Sequence, residues 1–281
     1  MSCQTQELYQ TKDFTPQGSF TAEAEGPAVD KNGNLYAVSY DHKETVGKVK
    51  PSGEASIYFK MPQGSTANGI RFSSKGEMFL ADYTGHNILR VDSQKRISVF
   101  AHNDKMNQPN DLAIMDNDIL FASDPNWKEG TGQLWRCNTN GELTLLESKM
   151  GTTNGVEVST DQKYLYVNES KQRNIWVYDL DKKGNVSNKK LFYHFKDGGL
   201  DGMRCDSDGN LYVTRWGSGQ VVKLSPAGDL LETITLKGMK PTNIAFGGED
   251  GKTCYVTVSD RGNIETFRVD SPGRSYVLKT R

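Results

Sequence analysis

The chain has 281 residues, with 34 Lys and Arg against 35 Asp and Glu and a net charge of −1. Without a basic excess it is not expected to bind nucleic acid, and no apolar run approaches the ~18 residues of a membrane-spanning helix. Its 28 glycines, 12 tyrosines and 11 phenylalanines favour many short strands joined by tight turns.

The N-terminus lacks the basic and apolar segments of a signal peptide, so a soluble, cytoplasmic protein is expected, or a periplasmic one if Cys3 marks a trimmed lipoprotein start. Cys3, Cys137, Cys205 and Cys254 form no C-x-x-C pair, which argues against a disulfide framework or a zinc knot. From there a single pattern runs along the chain. Six segments place an aromatic in an alternating strand after a turn, at Tyr36, Phe79, Phe121, Tyr166, Tyr212 and Tyr255, with spacings of 43, 42, 45, 46 and 43 residues. Each unit opens with a short apolar strand and a turn such as Asp30-Lys31-Asn32-Gly33, and continues past the aromatic strand into two more, as in Gln220–Leu224 and Leu230–Leu236. Four strands per unit at this spacing predict an all-β, six-bladed β-propeller around a central channel. Residues 1–20 are expected to be an N-terminal extension or closing strand and 21–281 the propeller. Whether residues 8 to 20 or the tail after Ser271 complete the last blade is left open.

One column of the repeat is polar where packing would favour an apolar residue. Counting back eleven or twelve residues from each aromatic gives Glu25, Asn68, Asn110, Asn154, Asp201 and Asn243. Equivalent places face one another across a propeller axis. A ring of carboxylate and amide oxygens, without His or thiolate, describes a hard-cation site that suits Ca²⁺ better than Zn²⁺. Taken singly, Asn68-Gly69, Asn154-Gly155 and Asp201-Gly202 read as ordinary turn dipeptides; taken together, the column favours a metal.

Glu25-Gly26-Pro27, Pro109-Asn110-Asp111, Thr153-Asn154-Gly155 and Asp201-Gly202-Met203 resemble, in order and spacing, the motifs of the SMP-30/gluconolactonase/luciferin-regenerating-enzyme family. That family includes regucalcin-like lactonases and, more distantly, diisopropyl fluorophosphatase, and the resemblance covers roughly residues 20 to 270. It implies one divalent ion in the channel, usually Ca²⁺ (with Zn²⁺, Mg²⁺ or Mn²⁺ as substitutes), held by Glu25, Asn154 and Asp201, with Asn110 as ligand or substrate contact. It also implies that Asp201 takes part in proton transfer or nucleophilic attack. Two departures stand out. Gln108 occupies a place where sugar-lactonase members often carry a basic residue, and Arg204 and Ala245 occupy places where the fluorophosphatase branch binds a second, structural calcium, so that second ion is not expected.

Loops at the same mouth are expected to wall a substrate pocket, with Tyr83 and His86 after the second aromatic strand, Asp124 and Trp127 after the third and Trp216 after the fifth, beside Asn68, Asn110 and Asp111. Gly247 to Thr253 and Asp179 to Gly184 only imitate a phosphate loop and a calcium loop and read as turns. Asn168 and Asn185 begin N-x-S sequons, and no serine or cysteine nucleophile motif accompanies the four histidines. The expected function is a monomeric, metal-dependent lactonase acting on a small lactone, with Asp201 as general base. A phosphotriesterase on the same ion and a non-catalytic propeller scaffold are the alternatives.

Overall fold

The computed structural model describes residues 7–279, which form six four-stranded antiparallel sheets and a short C-terminal helix, Arg274–Lys279. Cys3 lies outside the described residues. The innermost strands are Phe20–Val29, Ala67–Phe72, Leu112–Ile114, Thr153–Val158, Met203–Cys205 and Pro241–Gly247, one per blade. In blades one to five the strands follow in chain order from the axis outward. Blade six takes its outer strand from the other end of the chain: Lys12 and Asp13 pair with Thr266 and Glu265. The N-terminal segment therefore closes the ring, while the tail after Ser271 turns back as the helix.

The recurrent aromatic has a packing reason. Its strand is second from the axis, buried on both faces between neighbouring blades, so a large side chain there fills the wedge that opens as sheets fan outward. Tyr212 stacks edge-on against Phe246 of the next blade at 5.2 Å between ring centroids, and Tyr36 meets Phe72 at 5.6 Å. The core is accordingly six apolar layers, each shared by two adjacent blades, and blades six and one share theirs as the others do. The turns behave as read. Asp30 Oδ1 accepts the Asn32 and Asn34 amides, Asp206 Oδ1 those of Asp208 and Asn210, and Asp181 Oδ1 those of Lys183 and Asn185.

Asn68-Gly69 and Asn154-Gly155 are not turns. They lie inside the innermost strands of blades two and four, at interruptions in strand register. The glycine that follows a column residue lets the next blade approach closely. Gly26 has φ of 56°, and a Cβ there would stand 2.0 Å from the Asn68 carbonyl oxygen; at Gly202 it would stand 1.9 Å from Asn243 Oδ1. Gly202→Ala is therefore expected to lower stability by about 3 kcal/mol or more, because a closed ring leaves Asn243 nowhere to move. A melting temperature within about 2 °C of wild type would contradict this tight closure.

Candidate active site

At one mouth of the channel a cavity of about 570 Å³ is lined by Glu25, Asn68, Asn110, Asn154 and Asp201 at its floor and by Trp127, Ser170, Lys171, Gly198, Gly199 and Trp216 around its wall. Five of the six column residues thus converge. The sixth, Asn243, is fully buried beside them and acts as a bracket: its Nδ2 donates to Glu25 Oε2 at 3.0 Å, and its Oδ1 accepts the Ile244 amide. The same Glu25 oxygen accepts the Gly26 amide.

The remaining polar atoms are arranged so that oxygens are left over. Asn154 Nδ2 donates to the Leu200 carbonyl at 3.4 Å and Asn68 Nδ2 to the Asn110 carbonyl at 3.1 Å. Asn110 Oδ1 and Asn154 Oδ1 are buried without a hydrogen-bond partner among the described residues. An orphaned buried carbonyl is costly, and here there are two beside two acids.

Glu25 and Asp201 are close enough to hydrogen-bond, and the Glu25 charge raises the proton affinity of Asp201. For Asp201, burial is the largest cause and Glu25 the next, together lifting it well above the usual carboxylate range. For Glu25, burial and then Asp111 push it up to about 7. Two acids crowded against two unpaired amide oxygens have an all-oxygen donor chemistry that fits a hard divalent cation, which would relieve both the repulsion and the missing hydrogen bonds.

Four residues expected in the pocket stand elsewhere. Asp124 is fully buried behind the wall, where it accepts the Asn107 and Gln108 amides and Trp135 Nε1, so it anchors the loop that precedes Asn110. Asp111 lies under the floor, fully buried, with Arg71 Nη1 at 3.2 Å and Arg204 Nη1 at 3.3 Å. Tyr83 and His86 sit on the loop between the second and third strands of blade two and do not line the cavity; His86 has φ of 57°.

Other contributors were not singled out as pocket or positioning residues from the sequence. Lys171 and Ser170 reach the wall from the loop that follows the second strand of blade four. Lys171 Nζ donates to the Trp127 carbonyl at 2.8 Å, so the cation at this mouth comes from blade four, while Gln108 is occupied with the Trp127 amide. Asn168, noticed only as a sequon, is fully buried; it donates to the Asp201 carbonyl at 2.6 Å and accepts the Gly155 amide, fixing one ligand strand against the next. Its burial excludes glycosylation of the folded chain. At the other side of the floor, Arg71, Glu157 and Arg204 each follow a column residue by three positions and form a second, charged layer.

Comparison with known proteins identifies the family. The family described as "SMP-30/Gluconolactonase/LRE-like region" matches residues 4–260. A gluconolactonase of Zymomonas mobilis is 30% identical over 272 residues, covering 84% of this chain and 76% of that protein. The diisopropyl-fluorophosphatase of Loligo vulgaris is 26% identical over 301 residues and 92% of both chains. Among solved structures, a calcium-binding protein, regucalcin, from Agrobacterium tumefaciens superposes with a TM-score of 0.80 at 19% identity, over 92% of this chain and 96% of its own. With a family match across nearly its whole length, this chain belongs to the SMP-30/gluconolactonase/LRE-like family.

Proposed function

We propose that this protein is a lactonase that hydrolyses a small, hydroxylated lactone at the Glu25/Asn110/Asn154/Asp201 floor. The observation that carries the reading is the pair of adjacent acids, both with raised proton affinity, beside two unpaired amide oxygens, at the bottom of a cavity large enough for one sugar-sized ring. The gluconolactonase likeness supports the reaction class, and the likeness to a calcium-binding regucalcin supports Ca²⁺ as the first choice of cation.

Glu25, Asn110, Asn154 and Asp201 would hold the cation. When bound, it supplies Lewis-acid polarisation of the ester carbonyl and offsets charge developing on that oxygen. Asp201 accepts a proton from the attacking water as the new C–O bond forms; its high intrinsic proton affinity suits a base. Collapse of the tetrahedral oxyanion then breaks the ring C–O bond, and the departing alkoxide recovers a proton to give the hydroxy acid. Glu25, held by Asn243 and the Gly26 amide, keeps its orientation throughout. Trp127 and Trp216 offer flat faces to the ring, and Asn68, Ser170 and Lys171 offer hydrogen bonds to its hydroxyls.

The test is hydrolysis of a lactone panel by the purified chain, with and without EGTA. Turnover that disappears with chelation and returns with Ca²⁺ supports the reading; chelator-resistant turnover removes the cation from it. A second reading, phosphotriester hydrolysis with Asp201 as nucleophile on phosphorus, is favoured by the fluorophosphatase likeness across 92% of both chains. A parallel organophosphate panel decides between them.

Lys171→Met is expected to raise KM about 10-fold for polyhydroxylated lactones, with kcat changed less than about 3-fold, because the lost contact is to parts of the ring that do not react. The same variant should leave an unsubstituted lactone unaffected. Equal effects on both substrates would remove Lys171 from hydroxyl recognition.

A further inference from the structure

A second cavity of about 460 Å³ opens at the opposite mouth of the channel and shares no wall with the first. Its sides are apolar, built by residues such as Val29, Phe72, Met115, Phe246 and Leu278, and its floor carries the guanidinium groups of Arg71, Arg204 and Arg274. Arg274 belongs to the C-terminal helix and reaches inward with its side chain 5% exposed.

The charges at this floor are crowded. Two buried arginines, Arg71 and Arg274, and Arg204, whose side chain is 11% exposed, face the buried carboxylates Asp111 and Glu157, and Glu25 acts on Arg204 from the other side of the floor. Asp116, at 3.2 Å from Arg274, is more than a third exposed and screened by solvent; at the rim, Lys31 stands opposite Asp118, which is taken up by the amide and hydroxyl of Ser74. The nearest guanidinium nitrogens stand 3.6, 3.8 and 3.9 Å from Glu157, beyond hydrogen-bond reach. Arg204 Nη2 and Arg274 Nε are buried with no acceptor among the described residues. Crowding shows in Arg71, pushed down to about 10 by burial and then by Arg204.

Guanidinium donors left unused beside one another, under apolar walls, describe half of a binding site. The geometry points to a second ligand site at this mouth, taking a monocarboxylate with an apolar body, its carboxylate on Arg204 and Arg274 and its hydrocarbon against Phe72, Met115, Phe246 and Leu278. The volume accommodates a medium-length aliphatic acid. The site needs neither the divalent cation nor the reaction of the other mouth.

Calorimetric titration of the full chain with octanoate, and with octan-1-ol as its uncharged counterpart, tests this. Octanoate is expected to bind once per chain, and octanol at least about 10-fold more weakly, the value of a charge-assisted hydrogen bond. Arg204→Gln should weaken octanoate by about 10-fold or more. Leu278→Glu, on the terminal helix and outside the packed floor, should do the same by adding a like charge to the wall, and it serves if Arg204→Gln fails to fold. Tryptophan emission reports the location: Trp127 and Trp216 line the first cavity and no tryptophan lines the second, so emission should stay unchanged. No binding up to about 10 mM, equal binding of acid and alcohol, or a titration that shifts tryptophan emission would each overturn the assignment.

Discussion

Replacing Asp201 with asparagine is expected to lower kcat by about 10³-fold while the protein remains folded. Asparagine keeps the shape and one carbonyl oxygen for a cation but cannot take a proton from water. Stability should not suffer. Burial and the neighbouring Glu25 disfavour the Asp201 carboxylate, so a neutral amide in its place removes an ionisation that the folded chain otherwise resists. In chelated protein at neutral pH, Asp201→Asn should therefore melt at or above the wild-type temperature. Glu25→Gln provides the contrast. Its effect should fall on cation affinity, seen as activity recovered at higher Ca²⁺, because Glu25 is bracketed by Asn243 and the Gly26 amide and is not the proton acceptor. Lactone hydrolysis by Asp201→Asn within about tenfold of wild type would remove the base from the mechanism.

The ring and its polar column were legible because both repeat. A wedge between blades must be filled six times, so the aromatic recurs at Tyr36 and five later places; a channel must be lined six times, so the column recurs from Glu25 to Asn243. What does not repeat was not legible. The outer strand Lys12–Asp13 pairs with residues about 250 positions away, and nothing local marks it. Lys171 and Ser170 reach the pocket from a loop of a single blade. Asp124 sits where a pocket residue was expected, yet faces backward to serve three donors that the sequence does not bring near it. The layer of Arg71, Glu157 and Arg204 had a signal, three residues after a column member each time. Strict strand alternation assigns positions three apart to opposite faces, which hides it. In blades two and four a register shift lies between the column residue and the charged one and brings both to the channel.

The acid pair makes a second strong prediction, on stability against pH. Glu25 is pushed from an ordinary 4.5 to about 7 by burial and by Asp111, and Asp201 moves the same way. Between those values the folded chain holds protons that the unfolded chain has released, so folding stability must fall as pH rises through the window. Below it both states are protonated, and above it both have lost the proton. For Glu25 the cost is on the order of 3 kcal/mol, or a fall in Tm of roughly 5–10 °C in a chain of this size. Glu157, Asp124 and Asp206 are also raised by burial and add to the slope, whereas Asp250, held at about 2 chiefly by Arg268, acts at lower pH. The difference between wild type and Glu25→Gln therefore isolates the pair. In EGTA, wild type should melt lower at pH 8 than at pH 5, with the slope much reduced in Glu25→Gln. Saturating Ca²⁺ should reverse the trend, since cation and protons compete for the same oxygens and the cation gains as protons leave. A chelated wild type whose melting temperature is flat or rising from pH 5 to pH 8, with a slope equal to that of Glu25→Gln, would mean that the two acids are not crowded. The electrostatic reason for a cation at this floor would then be gone.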